Sequence, residues 1–155
     1  LGMPYVELTV SPGTAAGIVR FYQQLIECPA RLAEQAGAVC AHISVGPGQE
    51  LIYRETDAAL PEYDGHHIAV YLADFSGPYE KLLAKGLVSE ESDQHQYRFK
   101  DIVDLDTGRH LFTIEHEVRS MRHPMYARPL VNRNPAQTNR SYAPGHEDAP
   151  FALPA

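Results

Sequence analysis

An internal echo constrains this chain more than any other feature. The run YVELTVSP at 5–12, a helix-like stretch and GQELIYRE at 48–55 are followed by HIAVYLAD at 67–74, a second helix-like stretch and GRHLFTIE at 108–115. The opening segments are offset by 62 residues and the closing ones by 60. That period is too long for a solenoid and suits a duplicated βαβββ unit. Two such units facing each other would form a cup able to hold something small.

The local patterns support this reading. Val6, Leu8 and Val10 alternate with Tyr5, Glu7 and Thr9, as a strand with one buried face requires. Thr14 is placed to cap a helix whose stripe is Ile18, Phe21, Tyr22, Leu25 and Ile26, and Pro29 ends it. Strand-like runs follow at 39–45 and 50–55 around a Gly46-Pro47-Gly48 turn. After a polar linker at 57–65, Ile68, Val70 and Leu72 alternate with His67, Ala69 and Tyr71. Ser76 is the expected cap of the second helix, with Leu82 and Leu83 facing the core and Gly86 ending it. Residues 89–95 read as a polar hairpin connection, with strands at 97–103 and 110–118.

The chain of 155 residues is 44% hydrophobic, enough for one shared core. A net charge of −7 argues against a nucleic-acid surface, which needs clustered Lys and Arg. No run is long and apolar enough to span a bilayer, and no secretory pattern opens the chain, so the expectation is a soluble, cytoplasmic protein with no membrane partner. Cys28 and Cys40 read as reduced thiols. From 119 to 155 the chain is proline-rich and carries five arginines against two carboxylates. This tail suits an extended segment that wraps a partner subunit or closes the cup mouth.

The order strand, helix, three strands, duplicated, with FYQQLIE closing the first helix and DLDTGRHLFTIE leading into the last strand, resembles the vicinal oxygen chelate superfamily of glyoxalase I, bleomycin-resistance proteins and extradiol dioxygenases. The resemblance implies an α+β fold in which two βαβββ modules, 5–55 and 67–118 of a domain spanning 1–118, form a cupped mixed sheet with helices outside, followed by the 119–155 tail. It also implies a homodimer and a divalent metal held by the first residue of each opening strand and a Glu on each closing strand. Through the internal echo these positions fall on Tyr5, His67, Tyr53 and Thr113. Only His67 is a good ligand, whereas two phenols and a hydroxyl suit hydrogen bonding to an organic molecule.

Further along the same face, Glu7, Glu55 and Glu115 could converge as a displaced metal site with His67, as a general base, or as a solvated rim. His42, Thr9 and Tyr71 complete the candidate cup wall. The first expectation is a small-molecule binding protein or atypical enzyme, with Tyr5, Glu7, Thr9, His42, Tyr53, Glu55, Tyr71 and Thr113 as ligand contacts and no four-ligand metal. A second is a metal-dependent lyase, isomerase or dioxygenase using His67 and Glu115 as metal ligands and catalytic groups. A third is a non-catalytic assembly module.

Overall fold

The computed structural model describes residues 3–126. The expected tail therefore lies mostly outside the described residues. Eight strands and two helices follow in the order β1 (Tyr5–Val10), α1 (Ala15–Phe21, continued by a wide π turn over Tyr22–Ile26), β2 (Ala30–Gln35), β3 (Ala38–Gly46), β4 (Gln49–Glu55), β5 (His67–Leu72), α2 (Ser76–Ala84), β6 (Val88–Asp93), β7 (Gln96–Val103) and β8 (His110–Ser120). They form two four-stranded mixed sheets, ordered β1-β4-β3-β2 and β5-β8-β7-β6. In each sheet the opening strand runs parallel to the closing one, and the remaining pairs are antiparallel. The chain is thus two βαβββ modules in the α+β class.

Two strands depart from the sequence reading. β2 is composed of ARLAEQ, which has no β-branched residue, and β6 of VSEESD, which is almost wholly polar. Both are sheet edges, where backbone pairing with one neighbour is enough and no apolar alternation is needed. The segment assigned to a polar connection is therefore a strand. Leu83 also departs: Leu82 is fully buried, but Leu83 is half exposed. The two are one residue, hence about 100° of rotation, apart on a short helix, and only one can face the sheet.

The helix ends follow local chemistry. Thr14 makes no capping bond to the helix; its hydroxyl donates to Ser11 O. The first-turn amide of Ala15 instead donates to Glu55 Oε1 at 2.8 Å, so a carboxylate from β4 serves the N-terminus of α1. Likewise Ser76 is the first residue of α2 rather than its cap. Gly86, at φ +69°, closes α2: Leu87 N donates to Leu82 O and Gly86 N to Leu83 O.

One core serves both modules, because α1 packs against each. Val10, Ile43, Leu51 and Tyr53 from the first sheet and Phe99, Ile102, Ile114 and Val118 from the second are all buried around Ile18, Phe21 and Tyr22. Gly17 permits the close approach: a Cβ there would lie 2.6 Å from Leu111 Cδ1 at the start of β8. Arg20, one turn on, meets Asp104 of the β7–β8 turn at 2.7 Å. At the centre, Tyr22 Oη lies 2.5 Å from both Tyr53 Oη and His116 Nε2. Nδ1 of His116 must donate to Ile114 O, 2.8 Å away, so Nε2 accepts from Tyr22 and Tyr22 accepts from Tyr53. This chain of bonds joins β4, α1 and β8. Burial drives the His116 pKa down from 6.5 to about 4, with the bond to Ile114 O opposing, so the imidazole is neutral. Cys28 and Cys40 are both free thiols, and burial raises the Cys28 pKa to about 11.

Candidate ligand cleft and ion-pair network

The edge strands β1 and β5 line a common cleft of about 880 Å³. Its walls include Tyr5, Leu8, His67, Val70, Tyr71 and Met121. Alternation in each strand sends Tyr5, His67 and Tyr71 to the outer face and Leu8 and Val70 toward the core, so the cleft offers polar tips above an apolar floor. Tyr71 is the best-held wall residue. Tyr126 packs against it with ring centroids 5.3 Å apart, His123 at 6.3 Å, and the Arg119 guanidinium lies 5.9 Å from its ring centre. Of the residues singled out from sequence, Tyr5, His67 and Tyr71 are brought together here.

The other candidates are not. The parallel ladders pair Tyr5 with Glu50 and His67 with Glu115. Glu50, rather than Glu55, thus corresponds to Glu115, and the closing strands are offset by 65 residues instead of 60. Tyr53 faces the opposite side, fully buried against Tyr22. Glu55 caps α1, as described. Thr9 and Thr113 line a separate cavity of about 460 Å³, next to Pro61, Tyr63 and Phe112. Thr113 Oγ1 bonds Asp101 at 3.2 Å and His110 at 2.8 Å. Glu7 is held by Arg54, with Nε at 2.8 Å, and this bond, against a smaller effect of burial, keeps its carboxyl below the usual range. His42, on the same face, bonds Glu50 at 3.0 Å, and Arg31 reaches Glu50 at 3.1 Å. The expected convergence of Glu7, Glu55 and Glu115 is therefore absent: Glu7 is held by Arg54, Glu55 by the Ala15 amide of α1, and Glu115 by Arg98 and Lys100 on the other sheet.

A different acidic group forms on the outer face of the second sheet. His67, Glu115 and Glu117 present ligand atoms all within 4.8 Å of one another, the one such metal-type group among the described residues. From sequence, the run of His110, His116 and Glu117 with Glu115 is set aside as a metal cluster because successive residues on a strand diverge; that holds for His116, but the pairing of Glu117 with Ala69 beside His67–Glu115 places Glu117 on this face. Basic groups surround the carboxylates. Arg98 bonds Glu115 and reaches Glu117 at 2.8 Å; Lys100 lies 3.2 Å from Glu115, and Arg119 lies 2.6 Å from Glu117. Burial alone would raise the Glu115 pKa, but the bonds from Arg98 and Lys100 outweigh it and hold the carboxyl below its ordinary value.

This donor set does not fit the four-ligand divalent site of the fold family. A cation at His67, Glu115 and Glu117 would have to displace three existing positive charges. The first module offers Tyr5 and a Glu50 already committed to His42 and Arg31. The sequence reading also misses Arg98, Lys100 and Arg119. The echo of ELIYRE in IEHEVRS, which aligns Arg54 with Arg119, is the signal that could have found the last of them.

Comparison with solved structures bears on the fold. A Bacillus anthracis protein described as belonging to the glyoxalase family superposes with a TM-score of 0.52 at 17% identity, covering 77% of this chain and 95% of its own. The trypanothione-dependent glyoxalase I of Leishmania major gives 0.53 at 14% identity over 77% and 86% of the two chains. The fosfomycin-resistance protein FosX of Listeria monocytogenes, as a point mutant complexed with Mn(II) and 1S,2S-dihydroxypropylphosphonic acid, gives 0.50 at 15% identity over 77% and 91%. The chain has the vicinal oxygen chelate fold. No family model matches the sequence, and no curated protein matches it. Among the described residues no helix is long and apolar enough to cross a membrane.

Proposed function

We propose that this vicinal oxygen chelate chain binds a small organic ligand in the cleft between β1 and β5, without the four-ligand metal site of its fold relatives. The observation that carries this reading is the pairing of a tyrosine-walled, apolar-floored cleft with carboxylates already neutralised by Arg98, Lys100 and Arg119. Clefts of this size with few convergent polar groups suit organic ligands. Tyr5 and Tyr71 supply ring faces and hydroxyls, and His67 supplies a hydrogen-bonding imidazole at the rim. A thermal-shift screen with the purified protein should find stabilising organic compounds, and Tyr71→Ala should weaken the best of them about tenfold, the loss of one well-packed aromatic contact. A screen with no stabilising compound, or a stoichiometric divalent ion in the purified protein, would overturn the proposal.

A second reading rests on the 4.8 Å grouping of His67, Glu115 and Glu117: these three could hold a divalent ion that polarises a ligand oxygen. In that case His67→Ala should abolish metal uptake measured by elemental analysis, and unchanged metal content would remove this reading. The homodimer, and exchange of the 119–155 segment between its subunits, belong to the same proposal. Sedimentation of the full chain against a truncation after Ser120 tests both.

A further inference from the structure

The cleft between β1 and β5 is where this chain leaves apolar and aromatic side chains in the open. Among the described residues seven large hydrophobic side chains are exposed, and three of them, Met3, Tyr5 and Met121, line this one cleft. Tyr5 is 55% exposed and has neither a ring neighbour nor a side-chain hydrogen bond among the described residues. On the β5 side, Tyr71 and Tyr126 pack together and are only half-buried. Exposed apolar surface gathered in one concave place is surface that a ligand can cover.

Charge decides which ligand gains most there. Among the described residues, no Lys or Arg lines the cleft. The Arg119 guanidinium, 5.9 Å from the Tyr71 ring centre, shows that this ring already accepts a positive charge, and that charge is neutralised by Glu117 at 2.6 Å. His66 and His67 at the rim each stand beside a carboxylate, Asp64 at 2.6 Å and Glu117 at 3.6 Å. Glu50 is the one carboxylate in the lining, and its bond from His42, against a smaller effect of burial, keeps its carboxyl below the usual range. The face of an aromatic ring is electrically negative and thioether sulfur is polarisable, so a cation gains on these walls and an anion loses. The whole chain, with 20 Asp and Glu against 13 Lys and Arg, adds a field that draws cations. A neutral molecule would gain the apolar contact alone.

We infer that the cleft selects an organic cation, an ammonium or similar nitrogen cation carrying apolar groups, with its charge against the Tyr5 ring and its apolar part on the Leu8 and Val70 floor. The inference rests on the proposed binding cleft and specifies its ligand class.

The test uses three probes of nearly equal shape that differ in charge: (4-hydroxyphenyl)trimethylammonium, 4-tert-butylphenol and 4-hydroxybenzenesulfonate. Each is titrated into the full chain at pH 7 by calorimetry, with tyrosine ring resonances followed by NMR. The expected result is the ammonium binding about tenfold tighter than the tert-butyl compound, the combined effect of two partly exposed ring contacts. The sulfonate should bind more weakly than both, and the Tyr5 ring should shift with the ammonium. Tyr5→Leu, at an exposed position and with apolar bulk retained, should cut the preference for the ammonium to about threefold, the share of one remaining ring. Equal or tighter binding of the tert-butyl compound or the sulfonate, with Tyr5 and Tyr71 still shifted, would overturn the inference and leave the cleft standing as a binding site. A preference for the ammonium that survives Tyr5→Leu unchanged, as binding to acidic surface elsewhere would, also overturns it. Absence of any shift at Tyr5 or Tyr71 with all three probes would count against both the inference and the cleft.

Discussion

The two modules share a backbone plan and differ in what their outer faces carry. Glu50 and Glu115 occupy corresponding places, as do Arg54 and Arg119, and His42 stands where Arg98 stands. In the first module the contacts are mostly pairwise: Glu7 with Arg54, and Glu50 with His42 and Arg31. In the second, Ile52 is replaced by Glu117, and the added carboxylate draws Arg98, Lys100 and Arg119 into one network beside His67. On the inner faces the correspondence is Leu51 with His116, so the second module also contributes the only imidazole in the buried Tyr53–Tyr22–His116 chain. A duplicated unit therefore keeps its apolar frame while a few polar substitutions in one copy make its surface chemically different from that of the other.

The largest effect should come from converting His116 to the residue of the other module. The folded pKa of about 4 lies below the ordinary 6.5, so the unfolded chain takes up a proton that the folded chain refuses. That stability is fully present above pH 6.5 and is lost as pH falls toward 4, by roughly 3 kcal/mol for a shift of this size. His116→Leu should flatten urea-measured stability between pH 6.5 and 4. An unchanged slope would mean that other groups control this window. Glu7, Glu50 and Glu115, whose pKa values are held below the usual carboxylate value, lose their contributions only at lower pH.

Next comes the paired substitution of Arg98 and His42. Arg98→Met leaves two well-buried carboxylates short of a partner and should cost about 3 kcal/mol, whereas His42→Ala, in the pairwise network, should cost about 1 kcal/mol. Equal losses in denaturant titrations would erase the distinction between the two faces. The smallest of the three concerns the bridge between modules. Tyr22→Phe removes the hydroxyl common to both bonds and leaves His116 Nε2 without its donor, at about 2 kcal/mol, and calorimetry should still show one transition because the apolar packing of α1 is retained. Two separated transitions would show that the hydrogen-bonded chain, rather than packing, makes the modules cooperative.

Much of the fold was legible in residue order. The alternation in 5–10 and 67–72, the apolar stripe of α1 and the glycine after α2 each act through local periodicity or backbone preference, which the sequence displays directly. β2 and β6 escaped because edge strands are specified by backbone pairing and need not alternate. Strand periodicity put Tyr5, His67 and Tyr71 on one face, and they line one cleft. Tyr53, Thr113 and Glu55 were misplaced because the closing strands were matched by similar letters, at an offset of 60, when the ladder register requires 65.

By itself, then, the sequence determined a duplicated βαβββ plan and the faces of its two opening strands, because those depend on patterns within a single segment. Only the tertiary structure decided that Glu50 matches Glu115, that Arg98, Lys100 and Arg119 gather around Glu115 and Glu117, and that Tyr22 joins the modules through Tyr53 and His116. Those relations are set by strand register and by the docking of α1 on both sheets, and each depends on residues tens of positions apart whose meeting no local pattern records.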